Sequence, residues 1–220
     1  MGESSEEMRA ETRAQIALMK EPLFIAKRSP NPDWHLNACL HLGDWDTYAE
    51  GYKRAGDILV QYVVDTTSYQ DLLVYPIVFL YRQYLELRMK GLTIVGSYLL
   101  DQEVEFSRTH DLTSLWGKVR QILEAVFPRD KQENLDLLGK RLAEFNQIDN
   151  ISDAFRYPSD KKGKPSLPKD MDIINLGHLR DVILGISHVL DGASTGIDAK
   201  LDWKAEYLSE MHGYGDRYEP

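Results

Sequence analysis

The stretch from Leu72 to Leu100 constrains this chain more than any other. It is the most apolar part of the sequence, yet Arg82, Glu86, Arg88 and Lys90 interrupt it. Charges at these positions are costly in hydrocarbon, so the stretch reads as a core element and not as a membrane span. Ile77, Leu80, Tyr84, Leu87, Gly91 and Ile94 recur at steps of three and four, which places them on one helical face. Arg82, Glu86 and Lys90 are spaced by four and form a polar ladder beside that face, read most simply as a solvated or lightly buried charge network. Proline disfavours helical geometry in the residue before it, so the expected helix runs from Pro76 to about Leu99.

The same periodicity marks further helices. Tyr48, Tyr52, Ala55, Leu59, Tyr62 and Val63 predict a helix over 44–64, capped by Asp44 or Asp46. Leu112, Leu115, Trp116, Val119, Ile122, Leu123 and Val126 predict another, with Thr109 as N-cap and His110 in its first turn. Leu135, Leu138, Leu142 and Phe145 mark a helix over 130–147, and Ile174, Leu179, Val182, Ile183, Ile186 and Leu190 one over 171–191, stopped by Gly192 to Gly196. No strand-like alternation persists. The expected fold is all-α, an up-and-down bundle of about five core helices over 44–191. It is preceded by an N-terminal arm and short helix (1–43) and followed by an aromatic C-terminal tail (192–220).

The formal net charge of -9 excludes an overall basic nucleic-acid footprint but leaves room for a local one. Cys39 is the only cysteine, which excludes an internal disulfide and a multi-cysteine zinc site and fits a cytoplasmic setting. The first twenty residues lack the apolar core of a secretory signal. No phosphate-cradling glycine loop, nucleophile elbow or His-Glu-x-x-His motif occurs, so neither a metal nor a cofactor is expected.

Two places hold residue types suited to chemistry. His110 lies in Ser107-Arg108-Thr109-His110-Asp111-Leu112, and histidine is the side chain that trades protons most readily near neutral pH. The alternative is that its ring fixes the turn. The loop over 149–170 holds Asp153, Arg156, Tyr157 and a lysine cluster at 161, 162 and 164. Arg156 offers a planar fork for phosphate and Tyr157 a ring for stacking, with Lys161 and Lys162 adding positive charge. The alternative is that Arg156 anchors the loop while Phe155 and Tyr157 plug the core. On the last helix, His178, Arg180, Asp181 and His188 are spaced as surface polar positions.

Tyr81-Arg82-Gln83-Tyr84-Leu85-Glu86-Leu87-Arg88-Met89-Lys90-Gly91-Leu92 resembles the long helix of HEPN (higher eukaryotes and prokaryotes nucleotide-binding) domains. Thr109-His110-Asp111-Leu112, followed by Leu115-Trp116, resembles the start of that family's next helix. The resemblance implies a helical bundle, often a homodimer, associated with RNA or nucleotides in defence or toxin-type systems. Its ribonuclease members carry an arginine and a histidine separated by four to six residues. This chain departs from that pattern: seven residues separate Arg180 from His188, and His110 follows Arg108 by two. A spatial substitute would bring Arg156 to His110 as the catalytic pair, with Tyr157, Asp153, Arg82, Glu86, Lys161 and Lys162 around the substrate. The competing expectation is a non-catalytic dimerisation or protein-interaction module that uses the N-terminal arm or the aromatic tail.

Overall fold

The computed structural model describes residues 38–129 and 132–215, with side chains to Met211. The chain divides into two units, residues 1–42 and 43–220, and the second holds the bundle. Most of the N-terminal arm and short helix expected over 1–43 lies outside the described residues, and the described residues 38–42 are not helical.

Among the described residues five helices follow in order: α1 Trp45–Thr66, α2 Gln70–Leu99, α3 Leu112–Val126, α4 Gln132–Ile148 and α5 Leu176–Gly215. The described residues form no sheet strand, only an isolated bridge between Ser159 and Pro165. Asp44 caps α1 as expected, accepting from the Asp46 and Thr47 amides at 3.0 and 3.1 Å. The buried line of α1 is Ala49, Gly56 and Val60, whereas Tyr48 and Tyr62 face solvent. Small residues fall where Tyr81 approaches: a Cβ on Gly56 would sit 2.8 Å from the Tyr81 ring.

The central helix differs from its sequence reading in two ways. It begins at Gln70, so Pro76 is inside it. Proline there forgoes only the bond to the Leu72 carbonyl, and the backbone at that point is on the wet side, with Leu72 and Tyr75 exposed. It is also buried on nearly all sides, from Ile77 and Val78 through Met89 to Ser97. A helix surrounded in this way is the hub of its domain: α2 packs against α1, α3 and α5, while α3 packs on α4 and α1 on α5.

The last helix also overturns its expected end. Residues 192–196 are helical, and α5 runs on to Gly215, 40 residues in all from Leu176. Leu190 and Ile197 are both fully buried, and Gly196 admits the Phe127 ring, whose Cζ would lie 2.8 Å from an added Cβ. Asn175 caps the start of α5, its side-chain oxygen accepting from the His178 amide at 2.9 Å.

Close helix approach makes a paired prediction. A Cβ on Gly96 would lie 2.3 Å from Ile122 Cγ2, whereas Gly185 in α5 is exposed with nothing within 4 Å. Gly96→Ala therefore destabilises by about 1–3 kcal/mol through overpacking, despite better helix propensity. Gly185→Ala stabilises by about 0.5–1 kcal/mol. Urea denaturation midpoints of the two variants, moving in opposite directions, check this.

Candidate functional site

The turn before α3 is pinned from several sides. Asp111, not Thr109, is the N-cap, accepting from the Ser114 amide at 2.6 Å, and Thr109 Oγ1 accepts from the Asp111 amide at 3.1 Å. Asn146 of α4 rivets the turn: its amide nitrogen donates to Asp111 Oδ2 (2.8 Å) and its oxygen accepts from the Leu112 amide (2.9 Å). His110 therefore precedes the helix, in an irregular segment, and does not form part of its first turn.

From that position the imidazole turns onto α2. Nδ1 of His110 lies 2.9 and 3.1 Å from the two Glu86 carboxylate oxygens. A carboxylate only accepts, so Nδ1 carries the hydrogen and the neutral ring keeps its lone pair on Nε2. The Glu86 side chain is 2% exposed and that of His110 is 55% exposed, so the inner nitrogen is clamped while the rest of the ring is wet.

Two cations also grip Glu86. Lys90 Nζ donates to Oε1 at 2.7 Å and Arg82 Nη1 to Oε2 at 3.2 Å. Burial alone pushes the Glu86 carboxyl up, but the hydrogen bonds and charges of Lys90 and His110 outweigh it and hold the group below its ordinary value of 4.5. A depressed carboxyl contributes stability above its unfolded pKa and loses it as pH falls through the folded one. Glu86→Gln accordingly flattens the loss of stability in the acid range below about 4.5, read as urea midpoints across a pH series.

Arg82 is wholly buried and is the tie between three segments. Besides Glu86 it donates from Nε to the Asp149 carbonyl (3.2 Å) and from Nη2 to the His110 carbonyl. Burial lowers its pKa, opposed by the charges of Glu86 and Asp149. The ladder is thus an internal network and not a solvated one. Arg82 and Glu86 hold His110 in place; buried as they are, neither reaches a bound substrate.

Arg156 is elsewhere. Its Nε donates to the Ser152 carbonyl at 2.6 Å, a terminal nitrogen pairs with Asp153, and the guanidinium stacks over Phe79 and Tyr157. It shares no partner with the His110 ring. Phe79 and Glu86 are seven residues apart on α2, about 10 Å along its axis. The arginine that meets His110 is Arg82, through the backbone, and not Arg156. Asp149, which the sequence reading did not single out, organises this loop by accepting from the Asp153 and Ala154 amides at 2.8 and 3.2 Å. Lys161 and Lys162 are exposed at the loop's tip.

Among the described residues no group of three or more His, Cys, Asp or Glu side chains is placed to hold a metal ion, and no helix is long and apolar enough to cross a membrane. A scan against protein-family models, a search of curated proteins and a search of solved structures each return no match. The described residues define a class by architecture alone: a five-helix all-α bundle with a buried carboxylate clamping a half-exposed histidine.

Proposed function

We propose that the bundle is a HEPN-like module that acts on RNA, with His110 as a metal-independent general base. The observation that carries this reading is the exposed imidazole held through Nδ1 on the buried Glu86 carboxylate. Such a pairing fixes the tautomer and stabilises the imidazolium that forms when Nε2 takes a proton. In the proposed step Nε2 removes the proton of a ribose 2′-hydroxyl and the 2′-oxygen attacks the adjacent phosphorus. The bond from phosphorus to the 5′-oxygen breaks, leaving a 2′,3′-cyclic phosphate, and the departing 5′-oxygen takes a proton from water. The resemblance brings with it a homodimer and a defence or toxin-type role, and the single cysteine fits a cytoplasmic setting. Sedimentation equilibrium at micromolar concentration checks the dimer.

The test is cleavage of a labelled single-stranded RNA by the purified chain in EDTA. The expected result is cutting that ends in cyclic phosphate and fails when every 2′-hydroxyl is methylated. No cutting, or cutting of the methylated strand, overturns the proposal.

A second reading rests on its own observation. Trp203, Tyr207 and Met211 recur every four residues along α5 and are all more than half exposed, with Leu208 beside them. A non-catalytic interaction module would use this stripe. Replacing Trp203 and Tyr207 with serine would then lower the mass of the particle in solution while RNA remains uncut by any variant.

A further inference from the structure

The loop between α4 and α5 is built, not slack. Pro158 O accepts from the Ser166 amide (3.2 Å), the Asp160 amide donates to Lys164 O (2.8 Å), and Ser159 pairs with Pro165. Asp160 Oδ1 then accepts from the Lys162 and Lys164 amides at 2.8 and 2.9 Å, and Gly163 supplies the positive φ of 76° that the tip requires. The outcome is a small hairpin-like tip that presents Lys161, Lys162 and Lys164, all exposed, with no ion pair on any of them among the described residues. Asp160 is spent on the backbone. The tip over 158–166 carries three lysines against one acidic side chain, in a chain whose net charge is -9.

At the root of the tip is an open cavity of about 440 Å³, lined by Tyr75, Arg156, Tyr157, Pro158 and Pro165. Its volume is within the usual range of small-ligand sites, about 300–1,000 Å³. Tyr75 and Tyr157 are each about half exposed (48% and 54%), and the Arg156 guanidinium is already stacked 5.2 Å from the Tyr157 centroid. Half-wet aromatic rings beside a stacked guanidinium form a platform for a planar base, and the adjacent lysines suit the phosphates that connect such bases.

We infer that this cavity and its lysine tip bind single-stranded RNA, one base stacking at Tyr157 and Tyr75 and the flanking phosphates lying along Lys161, Lys162 and Lys164. The inference rests on the RNA reading above but names a different surface from the His110 clamp, and the two separate experimentally.

The probe is a fluorescein-labelled, fully 2′-O-methylated RNA strand, which presents bases and phosphates but cannot be cut at a 2′-hydroxyl. Anisotropy is read with the full chain. Tyr157→Ala weakens binding about tenfold. The double variant Lys161→Ala/Lys162→Ala lowers the slope of log affinity against log salt by about 1.4, since each phosphate contact on a single strand contributes about 0.7. Lys140→Ala, at an exposed lysine of α4 outside the loop, binds as the wild type does, and a duplex of the same sequence competes about tenfold less well than the single strand. Circular dichroism confirms that these surface variants remain folded. Wild-type affinity in both loop variants overturns the inference, as does no binding by the wild type or equal competition by an acidic polyglutamate peptide. If the wild type cuts RNA while the loop variants bind normally, this inference falls and the cleavage proposal stands. If the loop variants lose binding and no chain cuts, the reverse holds.

Discussion

Arg82→Leu lowers the stability of the bundle by about 3–5 kcal/mol, the loss that follows when one partner of a buried ion pair is removed. For a domain of this size each kcal/mol corresponds to about 2–4 °C, so the melting temperature falls by roughly 6–20 °C. The size of the effect comes from what the guanidinium leaves behind. The Asp149 and His110 carbonyls lose their donor, and the Glu86 carboxylate, 2% exposed, keeps only Lys90 and His110. The same argument predicts strong non-additivity. Arg82→Leu/Glu86→Leu removes the buried charge along with its partner, so the double variant is more stable than Arg82→Leu alone. Urea denaturation of the three chains checks this. An Arg82→Leu midpoint indistinguishable from wild type would show that the tie between α2, the His110 turn and the 149 loop does not hold them.

His110→Ala has the larger effect on activity. A positioned general base contributes about 10²–10⁴-fold, and the variant loses that much of the RNA cleavage rate. Its stability falls by only about 1 kcal/mol, because the ring is more than half exposed, gives up one N–H donor and leaves Glu86 paired with Lys90 and Arg82. Glu86→Gln keeps the shape and an acceptor for Nδ1–H but removes the charge that stabilises the imidazolium. Cleavage falls about tenfold or more. A purely structural His110 predicts the opposite pattern, with stability changing and the cleavage rate not.

Much of this architecture is legible in the residues alone. The α3 stripe of Leu112, Leu115, Trp116, Val119, Ile122 and Leu123 is buried as its spacing implies, and Asp44 caps α1. Where the reading departs from the structure, local signals are outweighed by packing. Glycine costs a helix only about 1 kcal/mol relative to alanine, so Gly192 and Gly196 do not stop α5 when Leu190 and Ile197 continue the same buried stripe. Pro76 forgoes one bond near a wet end and α2 starts before it. At the His110 turn, Thr109 and Asp111 are both good caps, and periodicity does not choose between them.

The site was half legible for a related reason. The spacing of Arg82, Glu86 and Lys90 announces a ladder, but spacing along one helix does not say whether that ladder meets water or protein. Burial is decided by α1, α3 and α5 closing around α2. The partners of Arg82 at His110 and Asp149 are 28 and 67 residues away, beyond any local pattern. Arg156 and His110, both conspicuous in sequence, have no common partner because Asp153, Ser152 and Phe79 hold the one while Glu86 holds the other.

The most direct test is the single-turnover cleavage rate of one labelled single-stranded RNA in EDTA, wild type beside His110→Ala, with both chains shown by circular dichroism to be folded. The account predicts a wild-type rate about 10²–10⁴ times that of the variant, with cyclic phosphate on the product. Equal rates in the two chains, or no cleavage by either, would contradict it.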